Sequence, residues 1–110
     1  MGKNQLGEFE EVVMLTVAIL YGEAYGFAII EEMEKRLNRK VSIGALQTVL
    51  RRLEQKGLLE SQLGEATKVR GGKRKRFFMV TNMGRKVLEE AKEQRMQLWN
   101  AIPKIAFNDQ

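Results

Sequence analysis

Hydrophobic residues first gather between Phe9 and Leu20. There Phe9, Val12, Val13, Leu15, Val17, Ala18, Ile19 and Leu20 surround nearly the whole circumference of a helix drawn over residues 8–21. A helix apolar all round needs burial on more than one side, which in a short chain implies a partner subunit. Tyr21-Gly22 ends this helix and Glu23-Ala24-Tyr25-Gly26 makes a turn. A second helix is predicted over 26–38, with Phe27, Ile30, Met33 and Leu37 as one stripe at helical spacing and Glu31, Glu32, Glu34, Lys35 and Arg36 on the wet side. Asn38 is its stop. A third, over 43–56, has Ser42 as N-cap and Gly57 just past its end. Leu46, Val49, Leu50 and Leu53 form its buried stripe, while Gln47, Thr48, Arg51, Arg52 and Gln55 face outward and Ala45 sits near the N-terminal edge.

The period then changes. Residues 58–63 (LLESQL) and 75–81 (KRFFMVT) read as two short strands, joined by a long basic tip containing Gly71-Gly72. Alternation puts Phe77 and Phe78 on opposite faces, so one of them belongs to the core. A fourth helix starts at Thr81 or Asn82 and runs to about Ile102, where Pro103 stops it. Its stripe is Val87, Leu88, Ala91, Gln94, Arg95, Leu98, Trp99 and Ile102. Twenty residues of helix extend roughly 30 Å, too far to lie against so small a core throughout. The tail after Pro103 has no clear pattern.

Composition narrows the chemistry. At 110 residues and 44% hydrophobic content the chain is one domain with one core. It has no Cys and no His, and its only Asp is Asp109. That removes disulfides, thiolate nucleophiles, the commonest general base and the commonest metal ligands. The expectation is a non-enzymatic protein with no metal and no cofactor. Its longest apolar stretch, Val12–Tyr21, is about half of a membrane span, and two glutamates precede it, so a soluble, cytoplasmic protein without a processing segment is expected. Glu8, Glu10 and Glu11 read as an exposed first-turn complement to the helix dipole.

Charge is polarised. Residues 1–35 hold two lysines against seven glutamates, residues 36–56 hold six basic groups against Glu54, and residues 66–88 hold eight basic groups and no acid. The net charge of +5 thus conceals an acidic front and two basic blocks, a pattern that favours a polyanionic partner.

Helix, helix, helix, hairpin, long helix is the order of a winged helix-turn-helix. In that arrangement the third helix enters a major groove about 12 Å wide and the hairpin projects beside it as a wing. Both elements that would face DNA fall in the net-positive blocks. The expected fold is mainly α with a small β-hairpin, residues 1–81 forming the winged helix-turn-helix and 82–110 a C-terminal dimerisation helix and tail, in one compact domain. Ser42, Ala45, Gln47, Thr48, Arg51 and Arg52 are the candidate DNA contacts of the recognition helix. Lys68, Arg70, Lys73, Arg74, Lys75 and Arg76 are those of the wing, as sequence-blind phosphate contacts.

The string GALQTVLRRLEQKGLLES followed by KRFFMVTNMG, with Tyr25-Gly26 opening the second helix, resembles the PadR-like transcriptional regulators over roughly residues 8–100. The matching positions are Arg51-Arg52-Leu53-Glu54, Gly57-Leu58-Leu59, Lys75-Arg76, Phe77-Phe78, Thr81 and Gly84. Three positions depart from the family: Gln47 stands where a tyrosine is common, and Phe77-Phe78 replaces a tyrosine pair. The resemblance implies a dimeric regulator, a repressor, on a pseudo-palindromic double-stranded operator. It also implies a small aromatic effector seated at the dimer interface near Trp99. Met14, Val87, Leu88, Ala91, Met96, Leu98, Trp99 and Ile102 are the candidate dimer or effector residues. A winged-helix protein–protein adaptor and a non-specific nucleic-acid binder remain the alternatives.

Overall fold

A computed structural model describes residues 6–64 and 74–107. Their order is α1 (Glu8–Ile19), α2 (Gly26–Leu37), α3 (Ile43–Gln55), β1 (Leu59–Leu63), β2 (Arg76–Val80), α4 (Asn82–Ala101) and a single turn, α5 (Lys104–Phe107). The two strands pair antiparallel, Leu59 opposite Val80, Ser61 opposite Phe78 and Leu63 opposite Arg76. This is the mainly helical winged helix-turn-helix with a long last helix that the element order predicts.

Local chemistry sets the junctions. The Ser42 hydroxyl accepts from the Ala45 N–H at 3.1 Å and caps α3. At the other end Gly57 takes φ 80°. The Leu58 N–H then reaches the Leu53 carbonyl and the Gly57 N–H that of Glu54, both at 3.0 Å, the paired bonds of a Schellman stop. That stop turns the chain straight into β1. Thr81 joins three elements: its N–H donates to the Leu58 carbonyl at 3.1 Å, its hydroxyl donates to the Gly57 carbonyl at 2.6 Å and accepts from the Gly84 N–H at 3.0 Å. Ile102 closes α4 with ψ 122°, the extended conformation that a following proline imposes.

The core is built from Val13, Met14 and Val17 of α1, Ile29 and Met33 of α2, the stripe Leu46, Val49, Leu50 and Leu53 of α3, then Leu58, Leu59, Phe78 and Val87, with Ala24 filling the turn. Phe78 is the buried member of its pair and Phe77 is half-buried.

Two expectations are corrected. On α2 the buried face is centred on Ile29 and Met33, with Phe27 and Leu37 left 66% and 53% exposed. Ile29 and Met33 stand four residues apart on one face, while Phe27 is about 200° around the helix from Ile29; the stripe drawn through Phe27 was rotated off the true face. The other concerns the acids of α1. Glu10 is buried, only 7% exposed, so it is more than an exposed complement to the helix dipole.

Helix α4 leaves the body of the molecule. Gly84 and Val87 are buried and Leu88 and Ala91 half-buried, but every residue from Lys92 to Ala101 is exposed. Among the described residues no helix is long and apolar enough to cross a membrane.

Candidate nucleic-acid interface

The outer face of α3 is open. Ala45, Gln47, Thr48 and Arg51 are all exposed, as is Ser42 at the cap. The Thr48 hydroxyl donates to the Gly44 carbonyl at 3.1 Å, which leaves its oxygen free to accept. Beside this face lies a cavity of about 830 Å³ between α3, the start of α2 and the hairpin. Its lining includes Gln47 and Arg51 of α3, Arg74, Lys75 and Arg76 of the hairpin, and Tyr25 and Phe27 at the start of α2. Four cations thus converge on one groove, with Glu54 the acid among its lining residues.

The described wing cations each make a contact through the charged head group. Arg74 Nε donates to the Gly64 carbonyl at 2.7 Å. The Lys75 ammonium sits 4.1 Å from the centre of the Tyr25 ring, and that ring meets Phe77 edge-on at 5.6 Å. Arg76 Nη1 donates to the Ser61 hydroxyl at 3.0 Å, and that hydroxyl donates to Glu54 Oε2 at 2.7 Å. Glu54, Ser61 and Arg76 therefore tie α3 to both strands, which fixes the angle between helix and wing. Lys68, Arg70 and Lys73, together with the rest of the hairpin tip, lie outside the described residues.

Arg52 is placed differently from Arg51. One residue on is about 100° around a helix, and that rotation turns Arg52 towards α1, where its Nη1 lies 3.8 Å from Glu10 Oε2. The same carboxylate oxygen accepts from Lys56 Nζ at 3.0 Å, and Glu10 Oε1 accepts from the Gly7 N–H at 2.9 Å. Burial pushes the Glu10 carboxyl up, but the Gly7 amide, Lys56 and Arg52 outweigh it and hold the group below its ordinary value of 4.5. The neighbouring acids of the same turn are also engaged. Glu8 accepts from Arg39 at 2.8 Å, which lowers its pKa, and Glu11 lies 3.6 Å from Arg95 of α4. Arg39 also stands 5.1 Å from the centre of the Phe9 ring. The first turn of α1 thus pairs with the loop before α3, the end of α3 and the middle of α4. Spacing along one helix carries no sign of these pairs; only the Gly7-x-x-Glu10 pattern, half of a capping box, hinted at Glu10.

The candidate dimer residues divide sharply. Met14 and Val87 are packed in the chain's own core, 0% and 5% exposed, and present no surface to a partner. Leu88, Ala91 and Ile102 are half-buried. Met96, Leu98 and Trp99 are 46%, 72% and 63% exposed. Beyond Pro103 the chain folds back so that Phe107 meets Trp99 at 6.0 Å between ring centres. Trp99, Ile102, Pro103, Lys104 and Phe107 line a shallow hollow of about 440 Å³.

A capped helix with an open polar face, packed across a second helix and flanked by a cationic two-stranded wing, defines a winged helix-turn-helix of the DNA-binding class. The sequence model of the transcriptional regulator PadR-like family matches residues 14–90. The chain belongs to that family. Among solved structures it is similar to a PadR-like transcription factor from Bacteroides fragilis, with TM-score 0.70 and 28% identity over 84% of each chain. It is also similar to a PadR family regulator from Eggerthella lenta, with TM-score 0.70 and 27% identity over 93% of this chain and 88% of that one. A third, from Clostridium difficile, gives TM-score 0.66 and 25% identity over 84% of this chain and 92% of that one. A search of curated proteins finds no match.

Proposed function

We propose that this DNA-binding regulator acts as a cytoplasmic homodimer, reading a pseudo-palindromic operator with two copies of α3 and repressing by occluding a promoter. The observation that carries the reading is the groove that Gln47 and Arg51 of the capped helix line together with Arg74, Lys75 and Arg76 of the wing. Phosphate contacts from the wing would set position and affinity, and the exposed face of α3 would read base edges. Gln47 carries the donor and acceptor that match adenine in the major groove.

The exposed half of α4 supports the dimer. An isolated helical arm carrying Leu98 and Trp99 in water has little to stabilise it, and Leu15 and Ile19 of α1 expose a second apolar pair, 45% and 51% open. A two-fold pairing would cover both surfaces and set the two copies of α3 about 34–36 Å apart, one turn of duplex. The aromatic hollow at Trp99 and Phe107 sits on the same arm. It is where a small planar effector would shift the spacing of the two reading heads.

The test is a polarisation titration against the chain's own upstream region and a random duplex at two salt concentrations. A regulator of this kind binds the upstream duplex at least tenfold tighter at moderate salt. Equal binding to both duplexes points to a non-specific binder, and no salt-sensitive binding to an adaptor.

A further inference from the structure

We propose that Glu10 is a charge clamp on the recognition helix, a positioning residue that withholds Arg52 and Lys56 from DNA phosphates. The inference rests on the DNA-binding reading of α3 and deepens it. Cations at the end of a recognition helix add affinity for any phosphate backbone, whatever the sequence. A regulator that must choose one site gains by limiting that term, because specificity is a difference between affinities.

The geometry points to such a device. Arg51 faces the groove beside the wing, while Arg52 and Lys56 converge on one carboxylate oxygen, at 3.8 and 3.0 Å. That carboxylate belongs to a different helix and is only 9% exposed, whereas the two cations remain 53% and 35% exposed. The acid is therefore immobilised, and the cations keep solvent access at the flank of α3. Its second oxygen is tied to the Gly7 amide, which stops the side chain from swinging out with the cations when a polyanion approaches. In water a loose surface pair is easily exchanged. A fixed, mostly buried carboxylate holding two cations is harder to displace. The division of labour is then explicit: Arg51 is committed to the DNA face, and the next residue is diverted.

The substitution Glu10→Gln tests this with little change of shape, since a glutamine side chain can still accept from the Gly7 amide. The readouts are affinity for a random-sequence duplex against salt and the elution salt from a heparin column. A freed cation adds about 0.9 to the magnitude of the log–log salt slope. The slope should therefore steepen by about 0.9 to 1.8, binding at low salt should tighten several-fold, and elution from heparin should move to higher salt. Each further phosphate neutralised makes affinity fall about 3.5-fold more between 50 and 200 mM salt. Adding Arg52→Gln and Lys56→Gln to the variant should return the slope to the wild-type value or below.

An unchanged or shallower slope in a folded Glu10→Gln protein that has lost only thermal stability makes Glu10 a plain structural anchor and overturns the clamp. If Glu10→Gln does not fold, two single variants of the wild-type protein decide. Arg51→Gln should cost about 0.9 in slope and Arg52→Gln clearly less; equal losses overturn the proposal. Failure of the wild-type protein to bind either duplex or heparin at low salt is a separate outcome. It removes the DNA reading and the clamp with it.

Discussion

Replacing Gly84 by alanine tests how α4 is seated on the winged-helix body. Gly84 lies in the first turn of α4, where Thr81 caps the helix by accepting from the Gly84 N–H. A methyl group there would penetrate the Leu58 carbonyl oxygen and stand 2.9 Å from Val80 Cγ1 and 3.0 Å from Met14 Cε. Met14 is flexible and can retreat. The Leu58 carbonyl cannot, because it belongs to the Schellman turn and accepts from Thr81. The helix must move instead, at a typical overpacking cost of about 1–3 kcal/mol, with up to about 1 kcal/mol more if the Thr81–Leu58 bond is broken. Against this, alanine is favoured over glycine in a helix by about 1 kcal/mol. The net expectation is a destabilisation of up to about 3 kcal/mol. A loss of 1 kcal/mol corresponds to roughly 4–8 °C in small domains, so the midpoint of thermal unfolding followed by circular dichroism should fall, by up to roughly 12–24 °C at the upper end of that range. Gly44 in α3 supplies the opposite sign. Nothing lies within 4 Å of a Cβ placed there, so Gly44→Ala should raise stability by up to about 1 kcal/mol. If Gly84→Ala unfolds at or above the wild-type temperature, or the two variants shift in the same direction, close backbone approach is not what requires glycine in the T-x-x-G start of α4.

The remaining predictions concern the site, the assembly and pH. Neutralising Lys75 and Arg76 together should weaken binding to all duplexes alike and reduce the salt slope by about 0.9 for each phosphate that the wing no longer neutralises; an unchanged slope removes the wing from the interface. Site selection with Gln47→Ala should recover relaxed preference at one adenine position per half-site, and recovery of the wild-type consensus would sink the adenine contact. Replacing Leu98 and Trp99 by serine should convert a dimer to a monomer in sedimentation and make the melting temperature independent of concentration; a monomeric wild type rules out the assembly. Glu8 and Glu10 have folded-state pKa values below the ordinary 4.5. The unfolded chain therefore binds more protons on the acid side. Their stabilisation is present above about pH 4.5 and lost as pH falls through the lowered values. Denaturant titrations between about pH 5 and pH 3 should show a shallower acid-side decline for Glu10→Gln than for wild type, and parallel curves count against this pairing.

The pattern of apolar positions carried α3 nearly whole: its cap, its four buried leucine and valine positions and its terminating Gly57 all follow from interactions within a few residues. The strands and the long α4 were legible for the same reason, because Thr81 and Pro103 act on their immediate neighbours. The buried face of α2 was not. Its stripe holds more apolar residues than the body can cover, so which of them turn inward depends on where α1 and α3 lie against it. Met14 and Val87 show the same limit: an apolar residue reads alike whether it packs within one chain or between two.

The acids of α1 were the largest omission. Glu10 meets Lys56 and Arg52 across more than forty positions of chain, and Glu11 meets Arg95 from still further away. No periodicity encodes such a pairing. Short-range chemistry, in caps, turns and helical or strand alternation, was enough to define the elements, their order and the basic character of the α3 and hairpin blocks. Packing decided which of two adjacent arginines faces the groove, which side of α2 is core and which apolar residues of α4 stay open. Those outcomes depend on the angles at which helices cross, and crossing angles arise only when side chains from distant parts of the chain compete for the same space.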